Sequence, residues 1–351
     1  MTAFPDRPED VTDRWLSHVL GNDIAIESWE PIGSGQVGDS ARFYLRSLLS
    51  DAPTTIAAKF PSRDQASRTT AAMMGLYSKE VRFYREVARQ LAARVPRVYH
   101  SELSDDGVGF VLLFEDLGPA RGGDQIRGCN IADARAAIRQ AAAIHAPSWD
   151  NAALRAKEWL RPNPGLAATT ASMYPKAQAL FRERYADQLE PEYMQLCEDL
   201  AAAADLLFGS NEPPQCLIHS DFRLDNMLFE IRDGAEAMAV LDWQTVTLGK
   251  GMTDIGYFLG CGIGNALRSA HEEELLDLYL EEMDERGVPL TRQDIWRDYR
   301  LGALHGIATA VFSAAYVERT QRGDANFLSM ARGACALAAS HDSIGALKGE
   351  S

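Results

Sequence analysis

The chain has no C-x-x-C pair, no long apolar run and no surplus of positive charge, and each absence removes a class of function. Its five cysteines (Cys129, Cys197, Cys216, Cys261, Cys335) are scattered and odd in number. That gives neither a disulfide framework nor a structural zinc site, and it points to a reducing compartment. No apolar stretch approaches the ~20 residues of a membrane span. The opening MTAFPDRPEDVTDRW is polar and acidic rather than a secretory signal. A soluble, cytoplasmic protein with no membrane partner is therefore expected. Lys and Arg number 35 against 50 Asp and Glu, a formal net charge of −15. This argues against nucleic acid as a partner, because phosphate backbones need cationic surfaces. There is no fixed-period repeat and no low-complexity tract, and nothing in the composition bears on oligomeric state.

What is present is the make-up of an ordinary globular enzyme: 46% hydrophobic and 24% charged residues over 351 positions. That length is about twice the usual domain, so two lobes are expected. An amphipathic helix at residues 8–20 is followed by strand-like runs at 40–49, 54–60, 97–103 and 108–114. One broad helical stripe interrupts them over 70–93, with Leu76, Tyr77, Val81, Phe83, Tyr84, Val87 and Leu91 at helical spacing. After Gly118 the pattern turns helical and alanine-rich, over 131–146 with Asn130 as N-cap, then 176–207, 270–286 and 292–320. The strand-like runs there are 215–219, 227–231 and 238–241. The expected organisation is α+β, a small β-rich N-terminal lobe (1–117) and a large, mostly helical C-terminal lobe (118–351).

The segment 216–230, CLIHSDFRLDNMLFE, places His219, Asp221 and Asn226 as H-x-D-x-x-x-x-N, and Asp242 closes a second apolar run 16 residues later. This is the spacing of the protein-kinase catalytic loop and its following metal-binding carboxylate. A carboxylate that can orient a hydroxyl, an amide five residues on and a second carboxylate form the set that transfer of phosphate from Mg²⁺-bound ATP requires. Arg223 stands where protein kinases carry a phosphate-contacting lysine; a solvent-exposed loop arginine fits there equally. His219 suits packing support better than proton transfer.

The N-terminal third supplies matching parts. Gly33, Gly35 and Gly38 form G-x-G-x-x-G, which fits a phosphate-cradling turn, a plain glycine hairpin or a dinucleotide fold. The aromatic, strand-like Ala41-Arg42-Phe43-Tyr44-Leu45 that follows favours a turn between strands. Lys59 ends the apolar run 54–60, in the place of a lysine that meets nucleotide phosphates; a solvent-facing strand-end lysine fits as well. Glu80 interrupts an apolar helix face, where a carboxylate is costly unless paired, and Lys59 is the expected partner, with Lys79 or Arg82 as local alternatives. Glu115 and Leu117, at the end of 110–117, lie where backbone groups could bond an adenine edge; a buried edge strand that meets no ligand fits equally.

In this order the parts resemble the aminoglycoside phosphotransferase and choline kinase-like superfamily. The ecdysteroid kinase-like phosphotransferase branch is the most similar, through His145-Ala146 with Trp149, His219-Ser220-Asp221-Phe222 and Asp242-Trp243-Gln244. The likeness runs over about residues 10–320 and is loosest over 150–210. It implies a bilobal protein-kinase-like fold and transfer of the ATP γ-phosphate to a hydroxyl of a small molecule. Asp221 would be the base or orienting group, Arg223 would assist it, and Asn226 and Asp242 would be Mg²⁺ ligands. Asp254 would bond the catalytic-loop backbone from a helix start, as an N-terminal cap. Trp-Gln rather than Phe-Gly follows Asp242, and no A-P-E segment follows, so a small-molecule kinase fits better than a regulated protein kinase. A catalytically idle nucleotide-binding module is the alternative; an oxidoreductase would need a helix directly after Gly38. The acceptor stays open. The acidic run Glu272, Glu273, Glu274, Asp277, Glu281, Glu282 and Asp284 would suit a cation, although such charges on helices are usually solvated faces. Trp149, Trp159, Tyr174 and Tyr185 would suit a lipophilic alcohol, although core packing is the commoner fate of such residues.

Overall fold

The computed structural model describes residues 4–33, 37–47, 52–209, 212–317 and 319–349; Gly35, the last two residues of the run expected at 40–49 and residues 50–51 of the break expected at 50–53 fall outside them. The chain divides into two compact units. The first comprises Met1–Gln90, Arg94–Ala120 and Glu230–Val246, and the second Leu91–Ala93, Arg121–Phe229 and Thr247–Ser351. The first is built around a sheet and the second is mostly helical, the expected α+β, kinase-like organisation.

In the first unit, helix α1 (Asp13–Leu20) is capped by Thr12, which accepts from the Trp15 amide, and ends at Gly21 with φ +71°. Strands β1 (Ile24–Pro31), β2 (Gly38–Ser47), β3 (Thr55–Pro61), β4 (Val98–Leu103) and β5 (Phe110–Glu115) form a five-stranded sheet in the order β1-β2-β3-β5-β4. All neighbours are antiparallel. β1 escaped the sequence reading because it is an edge strand whose residues past Ile24 are at least partly exposed, so it lacks the apolar alternation that marks a half-buried strand. Strand parity then sorts the side chains. Ala41, Phe43, Leu45, Ile56, Ala58, Phe60, Val111 and Leu113 pack with Leu16 of α1 in one core. Lys59 has the opposite parity and pairs in register with Leu112. On that second face Phe110 and Phe114 meet Tyr77 and Tyr84, with ring centroids 4.6 and 4.9 Å apart.

Those tyrosines belong to the helical stripe, which is two helices rather than one over 70–93: α2 (Gln65–Met73), capped by Asp64, and α3 (Leu76–Glu86). Gly75, at φ +71°, separates them, because a left-handed residue cannot continue a helix and glycine adopts that conformation without penalty. The segment 230–246, which the sequence reading assigned to the larger lobe, clusters with this unit. Its Trp243 ring stacks on Phe83 of α3, 4.0 Å between centroids and 7° between planes.

In the second unit the expected helix over 176–207 is three: Pro164–Tyr185, Pro191–Ala202 and Ala204–Phe208. Pro191 starts the second, where its missing N–H costs nothing. The helix expected at 292–320 spans Arg292–Tyr316 with a Thr291–Asp294 capping box, and a further helix, Gln321–Ser340, follows it. The buried strand Cys216–Ile218 pairs antiparallel with Thr247–Gly249, so the chain leaves the strand at Ile218 directly into the H-x-D-x-x-x-x-N segment. Helix Gly251–Tyr257 crosses Arg292–Tyr316 at two glycines. A Cβ on Gly256 would lie 2.5 Å from the Gly302 carbonyl carbon, and one on Gly302 would lie 2.1 Å from the Met252 carbonyl oxygen.

Gly302→Ala gains ~1 kcal/mol of helix propensity but forces a methyl into backbone, which costs about 1–3 kcal/mol or more. The clash is expected to win. The unfolding midpoint should fall, and a midpoint at or above wild type in thermal melts would show that the helices can separate freely.

Candidate active site

The first unit assembles one charged set. Lys59 Nζ donates to Glu80 Oε1 and Oε2 at 3.0 and 2.8 Å and to Asp242 Oδ1 at 2.8 Å. Glu80 is buried, with 1% of its surface exposed, so its pairing with Lys59 is what its position demanded. Burial works against the Lys59 ammonium, but the Asp242 and Glu80 carboxylates outweigh it and hold the pKa above the usual lysine value. Burial raises the Glu80 pKa, with Lys59 opposing. Asp242 sits in the left-handed region at φ +62°, beside the stacked Trp243. Its Oδ2 receives one long bond, 3.3 Å, from Gln244 among the described residues.

The glycine turn joins β1 to β2, two antiparallel strands. A strand rather than a helix therefore follows Gly38, and the dinucleotide-fold reading falls. Gly33 is at φ +74°, and a Cβ on Gly38 would meet the Phe60 carbonyl at 2.8 Å. Tyr77, which the sequence reading took as packing, donates to the Val37 carbonyl at 2.7 Å and accepts from the Ser62 amide at 3.1 Å, tying the end of the turn to β3. Glu115 is committed elsewhere. Its carboxylate joins Arg94 and Arg232, at 2.7 and 2.6 Å, and its N–H donates to the Arg97 carbonyl at 2.9 Å. Leu117, two residues on and buried, makes no backbone hydrogen bond among the described residues.

The second unit assembles another set around Asp221. Ser220 takes φ +69°, unusual for a residue with a Cβ, and its two flanking peptides are held on both sides. The buried Asp254 carboxylate accepts the His219 and Ser220 amides at 2.7 and 2.8 Å, and the Ser220 carbonyl bonds His305 Nε2 at 2.8 Å. Asp254 is not the helix cap expected from sequence. Lys250 holds that position and Asp254 lies inside Gly251–Tyr257, where its carboxylate reaches sideways to the loop. Burial opposes its charge, yet the hydrogen bond from His145 and the His219 amide keep its pKa below the usual aspartate value. With Asp254 ionised, His145 donates through Nε2 at 3.3 Å, and its Nδ1 accepts from Tyr279 at 3.0 Å.

Asp221 itself receives three side chains. Tyr257 donates to Oδ1 at 3.0 Å and Asn226 to Oδ2 at 2.8 Å. Arg223 Nε lies 3.0 Å from Oδ1 and 3.2 Å from Oδ2. Burial alone would raise the Asp221 pKa, but Arg223, His219, Asn226 and Tyr257 together hold it below the usual value. Arg223 is thus bound to Asp221 and approaches Asp225 at 3.6 Å. Tyr257 and His305 carried no sequence signal; the first sits in an apolar run and the second in an alanine-rich helix.

The acidic helix is largely neutralised. Glu272 pairs with Arg268 and His341, Glu274 with Arg135, Glu273 and Asp277 with Arg292, and Glu282 with Arg139 and Arg286. Tyr174 and Tyr185 are fully buried core residues. Tyr174 and Tyr185 thus take the core-packing alternative, whereas Trp149 and Trp159 are partly exposed.

The residues suit magnesium by donor chemistry. Asn226 spends its NH₂ on Asp221, at the carboxylate and at the backbone carbonyl, which leaves its Oδ1 as an oxygen ligand, and Asp242 offers a carboxylate. Among the described residues no group of three or more His, Cys, Asp or Glu is placed to hold a metal. Mg²⁺ needs no such cage, because one or two carboxylates and the substrate phosphates suffice.

The model of the Ecdysteroid kinase-like family matches residues 47–288. The chain belongs to this family. Solved structures resemble the chain beyond those residues. Choline kinase from Cryptosporidium parvum Iowa II superposes with a TM-score of 0.55 at 10% identity, covering 98% of this chain and 94% of that one. The GDP complex of aminoglycoside 2'-phosphotransferase-IIIa gives 0.54 at 16% identity, covering 90% and 94%. At such identities the likeness is one of fold. Acyl-CoA dehydrogenase family member 10 of Mus musculus is 51% identical over 41 residues, 12% of this chain. The chain spans 4–16% of the length of the curated relatives it matches. Among the described residues no helix is long and apolar enough to cross a membrane.

Asp254→Asn sets an NH₂ against amide donors in a site without solvent, a loss of about 3 kcal/mol or more at pH 7. The folded pKa of Asp254 is depressed. Its stabilisation is therefore present above the unfolded value near ~3.9 and is lost as pH falls through the folded value. Urea unfolding should show the gap between wild type and variant narrowing below about pH 4; a gap that stays constant down to pH 3 would assign Asp254 no charge-dependent role.

Proposed function

We propose that this protein transfers the γ-phosphate of ATP to a hydroxyl group of a small molecule in a Mg²⁺-dependent reaction. The observation that carries the reading is Lys59 held between Glu80 and Asp242 at 2.8 Å each. One cation serves two carboxylates there, so the set keeps an excess negative charge on Asp242, the member with 31% of its side chain exposed. A structural ion pair needs no second carboxylate. A lysine that meets phosphates, beside an acid that meets a divalent cation, needs both.

On this reading Glu80 orients Lys59 toward the α- and β-phosphates. Gly33 and Gly38, the described glycines of the motif, let backbone approach the phosphate chain without interference from side chains. The open backbone of Leu117 meets the adenine edge, while Glu115 braces the strand end from below through its arginines. Asp242 and Asn226, through its Oδ1, would each serve as a ligand to Mg²⁺, which when bound would supply positive charge to phosphate oxygens. Asp221 accepts a hydrogen bond from the acceptor hydroxyl and takes its proton as the new P–O bond forms and the bond to the ADP oxygen breaks. A low-pKa carboxylate suits this task, because phosphoryl transfer relies on alignment and charge neutralisation more than on a strong base. Arg223 holds the Asp221 carboxylate in place. The acceptor is a small-molecule alcohol.

Purified protein with Mg²⁺ and ATP or GTP, challenged with alcohols, amino-alcohols and aminoglycosides, should release nucleoside diphosphate with at least one of them. Asp221→Asn should lower kcat by roughly 10²–10⁴-fold while Mg–nucleotide affinity in calorimetry stays near wild type. Asp242→Ala should abolish turnover at every Mg²⁺ concentration, and Asn226→Ala should be milder, since water can replace a neutral ligand. Tight nucleotide binding with no turnover of any acceptor, and no difference between wild type and Asp221→Asn, would make this an idle nucleotide-binding module.

Lys59→Ala removes the only cation between two carboxylates in its set, and its expected effect is a severe loss of nucleotide affinity. Unchanged affinity and turnover in that variant would return Lys59 to a structural ion pair.

A further inference from the structure

We propose that Tyr257 is a positioning residue for Asp221: its phenol sets the direction of the Asp221 carboxylate and leaves one acceptor place on it for the incoming hydroxyl. The inference rests on the phosphotransfer reading above and assigns that site a residue from outside its sequence motif.

The geometry is a matter of counting lone pairs. An ionised carboxylate offers about four acceptor positions. Tyr257 takes one on Oδ1 at 3.0 Å, Asn226 takes one on Oδ2 at 2.8 Å, and Arg223 Nε lies between the two oxygens at 3.0 and 3.2 Å. One position stays open, and 21% of the side chain is exposed to reach it.

The three donors are not equivalent. Arg223 and Asn226 belong to the same loop as Asp221 and move with it. Tyr257 comes from helix Gly251–Tyr257, so it alone refers the carboxylate to the frame of the unit. That frame is rigid by construction. Tyr257 is fully buried, its ring meets His305 edge-on at 5.2 Å and 89°, and a Cβ on Gly306 would already touch it at 3.4 Å. The Gly256–Gly302 crossing holds its helix against Arg292–Tyr316, which also delivers His305 to the Ser220 carbonyl. Burial and the neighbouring Asp221 push the phenol pKa well above its ordinary value, so it stays a donor.

Tyr257→Phe keeps the ring and its packing and removes the O–H. The expected result is a kcat lower by roughly 10-fold, the scale of one hydrogen bond to a charged group, with nucleotide KM unchanged. In an Asp221→Asn background the same substitution should have no further effect. A role in packing alone predicts an equal loss of kcat in both backgrounds, and either that pattern or an undiminished kcat overturns the proposal. A crystal structure of Tyr257→Phe supplies a readout that needs no turnover. The Asp221 carboxylate should be rotated or split between orientations, and an unmoved carboxylate overturns the proposal. Should the wild-type protein transfer phosphate to no acceptor, the phosphotransfer reading fails by itself, and the crystal structure still decides whether Tyr257 orients Asp221.

Discussion

One buried carboxylate organises the helical unit. Asp254 accepts two consecutive backbone amides, those of His219 and Ser220, and a ring N–H from His145. A charge with no solvent contact is tolerated only with such partners. Because two of them are neighbouring peptides of one loop, satisfying the charge also dictates the path of that loop. The left-handed Ser220 that results, +69° in φ, costs on the order of 1–3 kcal/mol and persists because its amide and carbonyl are both bonded. Strain at this position turns the chain so that Asp221 projects from the end of the strand. The segment around Asp221 is thus shaped by a residue 33 positions later, through hydrogen bonds rather than through its own preferences.

The sheet unit reaches its charged set by a different route. Strand parity divides β3 between two faces, and the odd residue Lys59 lands on the side that α3 covers, opposite the core shared with α1. An ammonium delivered under a helix that carries Tyr77, Phe83 and Tyr84 needs a counter-charge, and Glu80 lies one turn from each of them. The same helix presents Phe83 to Trp243, and that flat stack brings the next residue back along the chain, Asp242, within 2.8 Å of Lys59. Apolar packing on one helix therefore positions both acids of the set, which explains why residues 230–246 cluster with strands that precede them by more than a hundred positions.

What the sequence disclosed depended on how local the signal was. H-x-D-x-x-x-x-N, the strand lysine and the interrupted helix stripe are short-range patterns, and the pairing of Lys59 with Glu80 followed from a simple cost argument about buried charge. β1 stayed hidden because an exposed edge strand has no apolar alternation to read. The stripe over 70–93 looked continuous because its apolar residues keep helical spacing across Gly75, although a glycine there was the one available warning. The helices within 164–208 ran together for a similar reason: alanine and other strong helix formers fill the stretch, and Pro191 was the sole break. Tyr257 and His305 could not be found by pattern at all. Their roles arise from the Gly256–Gly302 contact, a tertiary fact that brings two helices close enough for side chains on each to reach one loop.

The identity of residue 226 illustrates how tightly chemistry and charge are coupled at this site. Its amide nitrogen lies 2.8 Å from the Asp221 carboxylate and 2.9 Å from the Asp221 carbonyl, so both N–H groups face acceptors and Oδ1 faces away. An aspartate of the same shape would set two carboxylates at that spacing, a repulsion on the order of 5 kcal/mol at an effective dielectric of ~20. It would also remove both donors. The pair would then share a proton, as adjacent carboxylates do, and Asp221 would no longer be reliably charged. A purely apolar residue would leave the Asp221 carbonyl and Oδ2 short of partners and offer no oxygen on the far side. The amide is the one side-chain group of that length with a donor end for Asp221 and an acceptor end for a cation. Asn226 therefore keeps Asp221 ionised, and on the proposed reading its Oδ1 stays available to a metal, so neither task competes with the other.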